Sequence, residues 1–193
     1  MEKCKTIFNQ WATRTYPAYW KMAGDMPERL EFLLEYFKDE TLDTIVEFGP
    51  YEGCSTSLWM LLAGKKLETV DPQQKINVNL YAEAAKDRDL EFVFTKKSDL
   101  EIPIVDCDLL FIDTMHTVDH TYKELMMHHS GVKKYIVMHD TNPEFCGTQE
   151  GIEKWANELW ANDSLCWKEI YNEDLANKPS PSRACGLSIW KRI

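Results

Sequence analysis

The stretch Thr44–Ile45–Val46–Glu47–Phe48–Gly49–Pro50–Tyr51–Glu52–Gly53–Cys54–Ser55 decides the fold. It reads as a buried strand that ends in an acid, then a glycine turn, then the start of a helix. A second acid, Asp71, follows the short apolar run Leu67–Val70. Acids at strand tips beside a glycine turn are what a mononucleotide-type cofactor site needs at the carboxyl edge of a parallel sheet. The glycines let backbone approach a ligand, and the acids can accept hydrogen bonds from an amino group or ribose hydroxyls.

Working outward, short apolar runs alternate with amphipathic stretches. The pattern predicts strands at 44–48, 67–71, 90–94, 108–113 and 134–139, with helices at 54–63, 77–86, 116–130 and 148–162 between and after them. The run 108–113 is unbroken in its apolar character, which suits burial on both faces. Two further strand-like segments, 166–171 and 187–192, flank an Asn/Pro/Ser-rich loop at 172–182 and predict antiparallel neighbours. The expected fold is therefore α/β, a Rossmann-like doubly wound sheet of about seven strands, mostly parallel, with an antiparallel edge strand.

Residues 1–40 lie outside that core and 41–193 form it. A helix is predicted at 27–39, and an aromatic cluster of Trp11, Tyr16, Tyr19 and Trp20 with Met22 precedes it. This N-terminal segment is either a lid or wall over a ligand, or packing against the sheet or a second copy in a homo-oligomer.

Composition narrows the function. The 193 residues suffice for one domain with a sizeable core, and the 44% apolar content fits a globular chain. A net charge of −10 with no basic stripe disfavours a nucleic-acid substrate, which needs a positive footprint. No apolar run approaches the ~20 residues of a membrane span, and there is no secretory h-region, so a soluble, cytoplasmic protein is expected. The six scattered cysteines, without a Cys-x-x-Cys pair, read as thiols in a reducing compartment, buried as small hydrophobes.

The glycine spacing selects the cofactor. A dinucleotide site wants Gly-x-Gly-x-x-Gly, and Tyr51 and Cys54 stand where its second and third glycines would be. The observed Glu-x-Gly-x-x-x-Gly-x-Ser, Glu47 to Ser55, resembles motif I of class I S-adenosylmethionine (SAM) methyltransferases. That resemblance, which covers roughly 40–193, implies a sheet with a reversed last strand. It places Glu47 and Gly49 near the methionine end of SAM, Asp71 on the ribose, and Ser98 and Asp99 near the adenine, with Gly53 and Ser55 also at the cofactor.

A second constellation stands at two further strand tips, in Phe111–Ile112–Asp113–Thr114–Met115–His116 and in Met138–His139–Asp140–Thr141. In an open parallel sheet both tips fall at the cofactor edge, so Asp113, His116, His139 and Asp140 are expected to converge. Oxygen-rich ligands suit Mg²⁺, and a histidine ligand shifts the preference toward Mn²⁺. A metal there would lower the pKa of a substrate hydroxyl, and His116, ordinarily titrating near ~6.5, would take its proton. These segments resemble the Phe-Ile-Asp-Gly-x-His and His-Asp-Thr elements of small-molecule and sugar O-methyltransferases of the macrocin and cephalosporin-biosynthesis type. The resemblance implies Asp113 and Asp140 as metal ligands, with Asp113 also beside the cofactor, and His116 as base; related sequences differ at His139, which is a further candidate ligand by its place at the strand tip. The chain departs from the pattern at Thr114, where glycine is usual, and at Pro50 and Glu52 inside the motif I turn.

The expected activity is methyl transfer from SAM to a small hydroxylated acceptor or sugar. Two alternatives stay open: a metal-independent transfer to another acceptor atom, and a non-catalytic SAM- or nucleotide-binding partner subunit. His120, His128 and His129 read as surface or packing residues. The acceptor pocket is expected between the N-terminal segment and the loops at 142–150 and 172–184.

Overall fold

β1 (Leu42–Phe48) is the strand that the opening motif predicts, and its last four residues are all buried. The computed structural model describes residues 1–13, 26–144, 146–173 and 186–193. Tyr16, Tyr19, Trp20 and Met22, most of the 172–184 loop and Cys185 lie outside these. The chain divides into two compact units, Met1–Ser98 and Asp99–Ile193.

In the first unit β1 runs parallel to β2 (Ala63–Val70), with Ile45 opposite Leu67 and Phe48 opposite Val70. β2 in turn runs parallel to β3 (Glu91–Thr95). Helix α3 (Cys54–Leu62) follows the glycine turn and passes straight into β2, which begins four residues before the expected start. The extra strand residues Gly64, Lys65 and Lys66 carry little apolar signal; Lys65 pairs with Asp43 at 2.7 Å and Lys66 with Glu68 at 2.9 Å. Helix α4 (Val78–Lys86) is capped by Asn77, whose side chain accepts from the Leu80 N–H. Its Ala84 is buried, while Leu80 is exposed.

The N-terminal segment holds two helices, α1 (Glu2–Ala12) and α2 (Met26–Phe37), both packed on α3. The sequence reading missed α1, although Cys4, Ile7, Phe8 and Trp11 carry the 3.6-residue period of one helical face. Cys4, Ile7 and Phe8 are buried, and Phe37 of α2 meets Trp59 edge-on at 6.3 Å.

The second unit is built on β4 (Cys107–Ile112), buried along its whole length. β4 is parallel to β5 (Val132–His139), with Ile112 opposite Met138. β7 (Leu187–Arg192) is antiparallel both to β5 and to β6 (Trp167–Asn172). Helices α5 (Val118–His128) and α6 (Thr148–Ala161) pack on each other across Gly151. A Cβ there would stand 2.7 Å from that of Thr121, so only glycine admits this approach. Trp155 of α6 fills the core against Trp167 and Trp190.

All seven strands belong to one sheet, ordered β3-β2-β1-β4-β5-β7-β6. The reversed strand is β7, one position in from the edge strand β6. Among the described residues no helix is long and apolar enough to cross a membrane.

Candidate active site

In the first unit the motif closes on itself before it meets any ligand. Glu47, next to last in β1, is fully buried, and its two carboxylate oxygens accept from the Ser55 hydroxyl at 2.5 Å and the Thr56 hydroxyl at 2.6 Å. The acid therefore ties the strand tip to the first turn of α3. Ser55, expected on the cofactor, spends its hydroxyl on Glu47. Gly49, at φ 79°, donates its N–H to the Val70 carbonyl at 3.0 Å and locks the turn to the end of β2.

Gly53 caps α3 at φ 104°, a region that other residues reach only with strain. A Cβ on Gly53 would lie 2.4 Å from the Tyr81 hydroxyl. That hydroxyl donates to the Gly53 carbonyl at 2.7 Å and accepts from the Trp11 indole N–H at 3.1 Å. Burial holds the Tyr81 phenol above its ordinary pKa, so it stays a donor. The N-terminal helix thus reaches the motif turn through one tyrosine. Beside it lies a cavity of about 400 Å³ lined by Gln10, Trp11, Glu52, Lys75, Asn77 and Tyr81 among others. Asp71, just past β2, is only partly covered and accepts from the Gln73 N–H at 2.6 Å.

In the second unit the residues expected to converge do so. Asp113, His139 and Asp140 present ligand atoms within 4.8 Å of one another. His139 Nδ1 stands 3.5 Å from Asp113 Oδ1 and 3.4 Å from Asp140 Oδ1. Both are longer than the ~2.7–2.9 Å of a charge-assisted hydrogen bond and near the separation of two donors on one transition ion. His116 Nε2 lies 2.8 Å from Asp140 Oδ2 and 3.2 Å from Asp113 Oδ1. Asp140 takes a left-handed backbone, φ 55°, at the tip of β5, which is strain stored at the site. Helix α5 is capped by Thr117, so neither Asp113 nor Asp140 is spent as its cap.

The charges follow from this packing. Burial would lower the His116 pKa, but hydrogen bonds to Asp113 and Asp140 and their charges push it up to about 10. Burial would raise Asp113 and Asp140, yet the neighbouring histidines hold both below the usual carboxylate range. The sequence reading overlooked Cys146, whose sulfur lies within 4.8 Å of ligand atoms of His116 and Asp140. The structure places it there through the turn after β5, where the Cys146 N–H donates to the Asn142 carbonyl at 3.0 Å. Nothing in its sequence neighbourhood signals that proximity.

Asp99, expected near the adenine, is the first residue of the second unit. It is buried in a single 3-10 turn, Asp99–Glu101, with its carboxylate on His120 Nε2 at 3.2 and 3.3 Å. His120 also faces Glu124 Oε1 at 3.5 Å. Thr114, where the resemblance expects glycine, donates its hydroxyl to the same Glu124 at 2.6 Å. His128, expected at the surface or in packing, is fully buried and accepts the Val105 N–H at Nδ1 (3.4 Å) while Nε2 meets the Asp99 carbonyl at 3.0 Å.

This architecture is the Rossmann-like fold of class I SAM-dependent methyltransferases. The N-methyltransferase NodS from Bradyrhizobium japonicum WM9 superimposes with a TM-score of 0.63 at 13% identity, over 87% of this chain and 96% of that one. An O-methyltransferase from Bacillus cereus, solved with S-adenosylhomocysteine (SAH), gives 0.60 at 13% identity, over 100% of this chain and 91% of that one. Magnesium protoporphyrin IX methyltransferase (ChlM) from Synechocystis PCC 6803, with bound SAM, gives 0.63 at 8% identity, over 100% and 98%. No family model matches the sequence, and no curated protein does.

Proposed function

We propose that this chain is a SAM-dependent O-methyltransferase of a small hydroxylated acceptor, assisted by a divalent cation. The observation that carries the reading is the acid–glycine turn at the tip of β1, braced by Ser55 and Thr56, in a sheet with the reversed β7 of the methyltransferase fold. The solved neighbours with SAM and SAH support the same cofactor here. Gly49 and Gly53 would let backbone approach the methionine end, Asp71 would accept from the ribose hydroxyls, and Ser98 would stand near the adenine. Glu47 would stand near the methionine end with both oxygens already accepting from Ser55 and Thr56, so its part there is to shape the turn.

The second unit would carry the acceptor. Its donor set of Asp113, His139 and Asp140 fits a divalent cation, and the imidazole favours Mn²⁺ over Mg²⁺. A cation bound there would acidify an acceptor hydroxyl. His116 Nε2 would receive the proton as the oxygen attacks the methyl carbon of SAM and SAH departs. Asp113 and Asp140 push the His116 pKa up to about 10, and a cation that engaged their charge would bring it back down toward that of a base at neutral pH.

Calorimetric titration with SAM and SAH, with Mn²⁺ or Mg²⁺ and again with chelator, tests the first half. Micromolar binding in both conditions is expected, because the cation serves the acceptor; no binding in either removes the methyltransferase reading. An acceptor screen for SAH release then tests the second half. Turnover that persists in excess chelator sinks the cation's role, and tight SAM binding with no acceptor-dependent SAH favours a non-catalytic partner subunit.

A further inference from the structure

The triad Asp99, His120 and Glu124 is used by none of the chemistry above. His120 and Glu124 sit four residues apart on α5, so one helical face presents both, and Asp99 comes to them from the turn Asp99–Glu101. Their ligand atoms all lie within 4.8 Å of one another. Glu124 is fully buried and Asp99 is 5% exposed, yet the cluster offers one imidazole to two carboxylates.

Two geometric facts point to a ligand. Glu124 Oε1 accepts from Thr114, but Oε2 of the same buried carboxylate has no hydrogen-bond partner among the described residues. Buried carboxylate oxygens left in that state are rare. Further, His120 Nε2 stands 3.2 Å from Asp99 Oδ2 and 3.5 Å from Glu124 Oε1. An ion pair closing on itself would draw to ~2.7–2.9 Å. Donors bonded at 2.0–2.1 Å to a tetrahedral ion stand ~3.3–3.4 Å apart, whereas a Mg²⁺ octahedron would bring neighbours to ~2.9 Å.

We infer that Asp99, His120 and Glu124 form a second cation site, built for a tetrahedral first-row transition ion of the Zn²⁺ or Co²⁺ type and separate from the Asp113–His139–Asp140 set. A nitrogen and two carboxylate oxygens leave one tetrahedral position for water, or for a fourth donor. Because Glu124 also holds the Thr114 hydroxyl, an ion here would brace the residue next to Asp113. The site is defined by its own ligands and stands whether or not the chain transfers methyl groups.

The test is a Co²⁺ titration of the full chain after chelator treatment, followed in the visible d–d bands and by metal counting after dialysis, with Zn²⁺ as competitor. Wild type is expected to hold two equivalents, Asp113→Asn/Asp140→Asn one, and Glu124→Gln one, with wild-type circular dichroism as the fold control. Glutamine keeps the acceptor for Thr114, so Glu124→Gln removes the charge and not the packing. A folded Asp113→Asn/Asp140→Asn variant that binds no Co²⁺ overturns the proposal. So does a Glu124→Gln variant that still holds two equivalents, or a wild type that holds only one equivalent and retains it in Glu124→Gln. Should the double variant not fold, His120→Asn in the wild-type background decides by the same count, with one equivalent expected and two overturning it.

Discussion

Two buried glutamates, Glu47 and Glu124, meet opposite fates in the two halves of this chain. Glu47 has a hydroxyl on each oxygen, at 2.5 and 2.6 Å, and both donors come from the helix it anchors. Glu124 has one hydroxyl and a distant imidazole, and its second oxygen makes no hydrogen bond among the described residues. Burial pushes the Glu124 carboxyl up to about 7, an effect that His120 and Thr114 only partly offset. A satisfied acid is a structural brace, and an unsatisfied one is a site in want of a ligand.

The sharpest break of that comparison is Glu47→Ala. It strands two buried hydroxyls and opens a cavity, so a loss of about 3 kcal/mol is expected from the shift in urea midpoint at unchanged slope. A variant as stable as wild type but blind to SAM would make Glu47 a ligand group instead of a brace.

Next in size is Gly53→Ala, which meets both the positive φ and the Tyr81 ring, for about 2 kcal/mol. Tyr81→Phe in the same background should recover part of the loss, because the hydroxyl is the nearest clash. Strict additivity in the double-mutant cycle would remove Tyr81 from the account.

Asp71→Ala should weaken SAM binding on the order of tenfold in calorimetry, the scale of a lost charged hydrogen bond, while leaving the thermal midpoint nearly unmoved. Equal losses in stability and affinity would turn Asp71 into a second brace.

The smallest effect is a pH dependence. Burial holds the His128 pKa below its ordinary value, and the ring is neutral, accepting at Nδ1 and donating from Nε2. The unfolded chain gains a proton below pH ~6.5 that the folded chain resists, so stability is full above that pH and falls as acid is added. The slope for one such group is at most ~1.4 kcal/mol per pH unit. Thermal melts from pH 7 to 5.5 should show this limb, and His128→Gln should flatten it; an unchanged limb assigns the acid sensitivity elsewhere.

The legibility of the fold follows from where signals repeat. Segments such as 108–113 hold an apolar run bounded by acids, so strand existence and order could be read directly. The start of β2 could not, because Gly64, Lys65 and Lys66 pair at a polar margin instead of filling a core. α1 is legible only at Cys4, Ile7, Phe8 and Trp11, a narrow apolar face set among Lys3, Lys5, Thr6, Asn9 and Gln10. At the site, Asp113, His116, His139 and Asp140 were legible because each sits at the tip of a predictable strand or just beyond it. Cys146 and the Asp99–His120–Glu124 triad were not, since a turn, a helix face and a 3-10 turn meet without any shared spacing.

The sequence alone determined the alternation of strands and helices, the acid–glycine turn and the strand-tip acids, because periodicity and turn chemistry are local. Only the tertiary structure decided which acids are spent on the fold and which remain for a ligand. Hydrogen-bond satisfaction depends on partners brought in from distant elements: Ser55 and Thr56 close Glu47 within its own turn, while Glu124 depends on Thr114 and His120 and is left with an oxygen to offer.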